Sequence, residues 1–294
     1  MKKEDGRDTE FNSPQQQNRN RFQDKVIVVT GASAGIGRQV AIDFTKKGIK
    51  GIAVVARNKD QLNELASNMQ NRCECLICPC DVSDKHAVQI MADDVLSKFG
   101  KIDILVNNAG FGILGKVNEQ SIEEIESVTA TNYLGMVYCT KAFLSSMLER
   151  KSGHIVNVAS LAASFGIPGL ASYCASKFAM LGFSESLSHE LHGTGVRVTV
   201  VSPIGVKTSF FDHPSFQGKK RWSSRYSMNA STVSHAVIRA SSSSRFEIVV
   251  PFFMRGAIWL KHTIPFIVNP IVGNSFRKVM HLDNDTIQNN HTKK

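Results

Sequence analysis

Short apolar runs rich in β-branched residues alternate with amphipathic stretches from Val26 to Val201. Val26-Ile27-Val28-Val29, Ile52-Ala53-Val54-Val55-Ala56, Cys75 through Asp81 and Ile104-Leu105-Val106 are bounded by turn residues and lack polar alternation. Runs of that length and composition predict strands buried on both faces. The stretches between them, such as the one through Lys47, carry helical spacing. Strand and helix in regular alternation predict an α/β fold, a doubly wound parallel β-sheet with helices on both faces. A chain of 294 residues accommodates this as a single domain, expected over 22–250, with a lid region at about 206–231. Residues 1–21 are polar, with Gln15-Gln16-Gln17-Asn18 and scattered charges, and read as a disordered tail. Residues 251–281 form an amphipathic, basic and aromatic C-terminal segment, and 282–294 a second polar tail.

The first strand runs directly into Thr30-Gly31-Ala32-Ser33-Ala34-Gly35-Ile36-Gly37 and then a helix. Three glycines at a strand-to-helix junction let the backbone turn tightly and let a pyrophosphate approach the first helical N–H groups, where the dipole favours an anion. The junction points to a Rossmann-type dinucleotide site involving Gly31, Ser33, Ala34, Gly35, Ile36 and Gly37. Farther along, Tyr173 and Lys177 stand one helical turn apart, and Ser160 ends an apolar run upstream. A phenol exchanges a proton with substrate only if its ionised form is favoured. Moving its pKa from about 10 to near 7 takes roughly 4 kcal/mol. An ammonium at about 4 Å in an effective dielectric near 20 supplies about that much.

Taken together, these motifs resemble the short-chain dehydrogenase/reductase family from about Lys25 to Thr208. Asp81-Val82 matches the segment that lies against the adenine in that family, and Asn107-Asn108-Ala109-Gly110 the motif closing the fourth strand. Asn132, Ser160, Tyr173 and Lys177 match the catalytic tetrad. The resemblance implies that Tyr173 is the general acid or base, that Lys177 lowers its pKa and binds the nicotinamide ribose, and that Ser160 holds the carbonyl oxygen. Asn132 would position a water that relays protons. Asn108, Ala109, Gly110, Pro203, Val206 and Thr208 complete the implied cofactor site. The chain departs from the family at Ile204, where glycine usually follows the proline; here the glycine is Gly205.

Cofactor choice is read after the second strand, where Arg57-Asn58 stand in place of the carboxylate that would bind a ribose 2′-hydroxyl. An arginine suits a 2′-phosphate, so NADP(H) is expected. Six cysteines raise the question of a metal. Cys73 and Cys75 would share one strand face while Cys78 and Cys80 share the other, so four thiolates cannot converge and no metal is expected. No signal-peptide pattern is apparent, and free thiols fit a cytoplasmic setting.

Charge separates the chain into two parts. From Val206 onward thirteen Lys and Arg face four Asp and Glu, which accounts for nearly all of the net +10. Lys219-Lys220-Arg221-Trp222 and Arg225 belong to the lid, and Arg255, Lys261, Arg277 and Lys278 to residues 251–281. Prolines and charges are expected to break that last segment into short pieces, none long enough to span a bilayer. Its expected partners are an anionic membrane surface, with the protein peripheral on the cytoplasmic face, or else the protein's own sheet or a second subunit. No nucleic-acid-reading motif is present, so no nucleic acid is expected. A homodimer or homotetramer is implied by the family resemblance. Phe111, Leu114, Phe165, Leu170, Phe210, Phe211, Phe216 and Trp222 are expected to form an apolar mouth. The sequence thus predicts reduction or oxidation of a carbonyl or secondary alcohol on an apolar, fatty-acyl or lipid-like substrate. A non-catalytic nucleotide-binding scaffold, or an epimerase or dehydratase of related fold, is the alternative.

Overall fold

A computed structural model describes residues 21–69, 72–217 and 227–279. The strands are β1 (Val26–Thr30), β2 (Gly51–Ala56), β3 (Glu74–Pro79), β4 (Ile104–Asn107), β5 (Gly153–Val158), β6 (Val196–Pro203) and β7 (Glu247–Val250). All pair in parallel, in the order β3-β2-β1-β4-β5-β6-β7. The helices are α1 (Gly35–Thr45), α2 (Lys59–Asn68), α3 (Lys85–Phe99), α4 (Ile122–Thr129), α5 (Gly135–Glu149), α6 (Ala171–Glu190), α7 (Ala230–Ala240), α8 (Met254–Thr263) and α9 (Pro265–Val279). The Rossmann-type arrangement expected from the sequence is therefore present.

Pleat alternation sorts each strand into two cores. Ile27, Val29, Ile52, Val54, Ile104 and Val106 pack against α1, α2 and α7 through Val40, Phe44, Leu62, Leu65 and Val237. Val26, Val28, Ala53, Val55 and Leu105 face the other way, onto Val88, Met91 and Val95 of α3 and Phe143 and Met147 of α5. All five residues of β1 are buried, as a central parallel strand requires. The same alternation handles the cysteines: Cys73 and Cys75 pack on the first core, Cys78 and Cys80 on the second. Burial pushes the Cys73 and Cys75 thiols up to about 11 and Cys78 to about 12.

Residues 254–279 form two short helices, α8 of 10 residues and α9 of 15, which part at Ile264, directly before Pro265. Pro265 opens α9, where a missing N–H costs nothing, and Pro270 is carried inside it at the loss of one intrahelical bond. The expected tails 1–21 and 282–294 lie outside the described residues except for Arg21, as do Lys219, Lys220, Arg221, Trp222 and Arg225 of the lid.

The strand order reverses between β1 and β4, so their carboxyl ends open a crevice. The opposite ends are fastened by Asp103. Its carboxylate accepts the Val26 N–H at 3.0 Å and the Lys25 and Lys101 ammonium groups at 3.1 and 3.3 Å. Burial alone would raise its pKa; the Val26 N–H and the two lysines outweigh burial and hold it below 3.8. A depressed carboxylate stabilises the fold above the unfolded pKa, and the contribution fades as pH falls through the folded value. Asp103→Ala should therefore cost about 2–3 kcal/mol at pH 7, because it also leaves the Val26 N–H unpaired. Urea unfolding at pH 7 and pH 3 checks this, with the deficit smaller at pH 3.

Candidate active site

The glycine turn lies against the carboxyl end of β4. Gly31 has φ +65°, and a Cβ there would sit 2.8 Å from the Ala109 Cα. A Cβ on Gly37 would lie 2.2 Å from the Gly31 carbonyl oxygen. Side chains at these two positions would force α1 away from the strand ends. The Thr30 hydroxyl accepts the N–H groups of Asn108 and Ala109 at 3.0 and 3.1 Å, and the Asn108 amide donates back to the carbonyl oxygens of Thr30 and Gly31 at 3.0 and 3.3 Å. Asn108 thus holds the turn from behind. Thr30 escaped assignment from the sequence, although its place directly before the first glycine was a signal.

A cleft of about 380 Å³ opens over this junction. Gly31, Ser33, Ala34, Gly35, Ile36, Asn108, Ala109 and Gly110 line its centre, with Arg57, Asn58, Asp81 and Val82 at one end and Tyr173, Lys177 and Thr208 at the other. Gln61, Ala159, Ser209 and Phe210 also line it; of these only Phe210 figured in the sequence expectations, as part of the mouth. The narrow glycine floor and the exposed helix start fit the dinucleotide that the sequence implies. Arg57 is exposed and only loosely paired, 3.9 Å from Asp81. Asp81 is engaged with Ser83, accepting its N–H at 2.9 Å and its hydroxyl at 2.7 Å. Asn58 caps α2 by accepting the Gln61 N–H.

Tyr173 and Lys177 share one face of α6, and both reach the cleft. The Lys177 ammonium lies 5.6 Å from the centre of the Tyr173 ring and donates to the Val158 carbonyl at 3.2 Å. Burial pushes the Tyr173 phenol up to about 12; a hydrogen bond with Ser160 works against burial without overcoming it. Burial also lowers Lys177, to about 8. The expectation that Lys177 depresses the phenol finds no counterpart in this geometry: burial dominates both groups, and the ammonium is turned toward Val158. Ser160 caps a short 3₁₀ turn, Leu161–Ala163, by accepting the Ala162 N–H at 3.1 Å.

Asn132 occupies one turn of π-helix, Ala130–Leu134, wedged between α4 and α5. Its amide accepts the Phe111 N–H and donates to the Phe111 carbonyl and the Ser176 hydroxyl, each at 2.9 Å. It is fully buried and off the cleft wall, and it ties the loop after β4 to α6. A Cβ on Gly110 would meet its Oδ1 at 2.9 Å and the Lys177 ammonium at 3.5 Å, so Gly110 gives the two access to the same corner.

A second, smaller cavity adjoins the first and shares Tyr173, Thr208 and Phe210 with it. Ser160, Pro203 and Val206 line this second space, with Leu170 and Phe211. The displaced glycine is accommodated simply. The Ile204 N–H donates to the Val250 carbonyl at 2.9 Å, extending the β6–β7 pairing, and Gly205 has open space around it. Phe210, Phe211 and Phe216 stack edge-on or tilted on one another, and Phe210 on Tyr173 with centroids 5.2 Å apart. Leu114, Leu170 and Phe216 are the buried members of this cluster, with Phe210 and Phe211 packed against them. Phe165 is buried elsewhere, under the Lys261 ammonium.

A parallel sheet opened at its reversal point, with a glycine turn and a phenol and ammonium in one cleft, defines a nucleotide-binding α/β oxidoreductase. A family model described as short chain dehydrogenase matches residues 25–217. D-threitol dehydrogenase of Mycolicibacterium smegmatis is 39% identical over 201 residues, 68% of this chain and 76% of that protein. The NADP-dependent 3-hydroxy acid dehydrogenase YdfG of Escherichia coli O6:H1 is 35% identical over 218 residues, 72% of this chain and 87% of its own. The crystal structure of a short chain dehydrogenase/reductase from Burkholderia phymatum in complex with NAD superposes with TM-score 0.77 at 28% identity, covering 84% of this chain and 95% of that one. The chain belongs to the short-chain dehydrogenase family, whose members are NAD(P)-binding oxidoreductases acting on alcohol and carbonyl groups.

A buried lysine lowered to about 8 weakens the fold at neutral pH, because the folded state resists a proton the unfolded chain accepts. Stability contributed through Lys177 therefore rises as pH increases from about 8 toward 10.5. Lys177→Met should raise stability at pH 7 by about 3 to 4 kcal/mol, at about 1.4 kcal/mol per pKa unit, and flatten the alkaline rise. Thermal unfolding from pH 6 to 10.5 tests it: a variant less stable than the parent at pH 7 would contradict the argument.

Proposed function

We propose that the protein is an NADP(H)-dependent oxidoreductase interconverting a carbonyl and a secondary alcohol on an apolar substrate, with Tyr173 exchanging the proton. The observation that carries this reading is that Tyr173 stands where the two cavities meet, between the glycine turn on one side and Ser160 with an apolar pocket on the other. When bound, a reduced nicotinamide supplies the hydride. The protein's part is orientation and proton transfer. The glycine turn and the start of α1 would receive the pyrophosphate, with Ser33 and Ile36 beside it and Thr208 across the cleft. Ser160 would hold the substrate oxygen beside the Tyr173 hydroxyl. A phenol at about 12 is protonated at neutral pH, so Tyr173 is ready as the acid for reduction. Lys177 would bind the ribose and, charged below about 8, stabilise the phenolate that reduction leaves. Asn132 holds Phe111 and Ser176, and through them the corner where Lys177 emerges.

Three observations support the finer parts of this reading. The exposed, loosely paired Arg57 suits a 2′-phosphate, and the relative YdfG is named NADP-dependent. The stack of Phe210, Phe211 and Phe216 over Leu114 and Leu170 favours an apolar, fatty-acyl or lipid-like chain beside the reacting carbon. The basic and aromatic residues 251–281 would seat a cytoplasmic protein on an anionic membrane face.

NADPH oxidation against ketones and 3-oxoacyl thioesters of increasing chain length tests the proposal. Specificity should rise with length; a flat profile would remove the apolar-substrate assignment. Tyr173→Phe should lower kcat by about 10² to 10⁴, and undiminished turnover would take Tyr173 out of the mechanism. Arg57→Asp should raise KM for NADPH while sparing NADH. A wild-type KM for NADH at or below that for NADPH would refute the cofactor choice.

A further inference from the structure

Eleven large hydrophobic side chains are exposed among the described residues, and seven of them fall between Phe252 and Ile271, Trp259 and Phe266 included. Scattered exposed apolar residues are ordinary, but a concentration of this kind on α8, α9 and the turn before them marks a surface that meets something. From Pro251 to Leu282 the chain has no Asp or Glu, while Arg255, Lys261, Arg277 and Lys278 are cationic. Apolar aromatics interspersed with cations match the interface of an anionic bilayer. A second copy using the same face would bring like charges together.

The same helix pair is fastened to the active site. The Lys261 ammonium of α8 donates to the Ser164 carbonyl oxygen and lies 5.4 Å from the Phe165 ring centre and 5.2 Å from that of Phe178. Ser164 closes the 3₁₀ turn that Ser160 caps. Phe178 follows Lys177 on α6. One side chain from α8 therefore touches both the loop that carries Ser160 and the helix that carries Tyr173 and Lys177.

We propose that α8 and α9 dock on an anionic lipid surface and that Lys261 transmits this docking to the catalytic site, so that turnover rises when the face is covered. The proposal rests on the oxidoreductase reading above and adds its regulation. Lys261 lies off both cavities and acts as a positioning residue. Docking restricts α8, a restricted α8 holds Lys261 on Ser164, and the Ser160 turn then spends more time in register with Tyr173. A substrate carrying an apolar chain would be met at the same surface.

The test uses the full chain, a water-soluble ketone, NADPH, and vesicles of either phosphatidylcholine alone or phosphatidylcholine with phosphatidylglycerol. Wild type should float with the anionic vesicles only, and turn over at least about fivefold faster in their presence, the lower end of ordinary coupling between two sites. Lys261→Met should still float but show no acceleration, and Lys261→Arg should regain it. The double variant Trp259→Glu/Phe266→Glu should stay at the bottom and keep the vesicle-free rate. Wild type remaining at the bottom overturns the proposal, including the case in which it elutes as a dimer that the double variant dissociates. So does a Lys261→Met protein accelerated as much as wild type, whatever its melting temperature. If Tyr173→Phe kept full activity, the oxidoreductase reading would fall while flotation stood, so the two failures are distinguishable.

Discussion

The contact between the carboxyl ends of β1 and β4 is the constraint from which the site follows. Parallel neighbours whose connections leave in opposite directions must part at their ends. Thr30 and Asn108 close that gap on the sheet side with four hydrogen bonds. On the far side the chain turns away through Gly31 and Gly37, which bring α1 closer than any side chain would permit. The crevice is thus a product of topology, and the hydrogen bonds at its base keep it in one shape. Asp103 performs the matching task at the other end of β1, so the strand is pinned at both ends.

The two groups proposed to carry the chemistry sit where burial is least comfortable for them. Lys177 is an ammonium with a carbonyl and a thioether for neighbours and, among the described residues, no carboxylate hydrogen-bonded to it. Tyr173 is packed under Phe210. Each group is pushed toward its neutral form, and the two shifts have the same origin. Attraction alone favours a phenolate beside an ammonium, but burial adds a desolvation cost to each. Folding changes the balance: desolvation acts on each group alone, whereas the attraction between phenolate and ammonium exists only once a proton has moved. In the proposed reaction such a site would resist a phenolate at rest and, once Tyr173 has given up its proton, stabilise it beside the Lys177 ammonium.

What the sequence revealed depended on how local the cause was. The strands were legible because a buried parallel strand needs a continuous apolar run, and the faces of Cys73, Cys75, Cys78 and Cys80 followed from alternation alone. The glycine turn was legible because Gly31 meets a backbone demand set by its immediate neighbours. The grouping of Asn132, Ser160, Tyr173 and Lys177 came through family resemblance, since nothing local links residues so far apart. Asn132 shows the limit. Its π-turn and its bonds to Phe111 and Ser176 arise from the meeting of three segments, and no run of residues around position 132 announces them. Thr30 stands directly before the first glycine, yet the task of its hydroxyl is set from outside that run, because β4 ends beside it.

The C-terminal helices fail to be legible for a different reason. Apolar and cationic residues at helical spacing are demanded alike by a protein's own core, by a partner subunit and by a lipid interface, so composition alone cannot choose among the three. Geometry removes one of them. Phe252, Phe253, Trp259 and Phe266 each remain more than half exposed with α8 already in place against the body, so these side chains do not serve this domain's own core. The absence of acidic residues over the same stretch then weighs against pairing of this face with itself, since a homologous contact would have to bury cations opposite cations. Lys261 belongs to that cationic set and yet points inward, to Ser164 and two aromatic rings. A residue whose charge suits the surface but whose contacts lie on the Ser160 turn and on α6 joins the two physically, which is the ground for the proposed coupling.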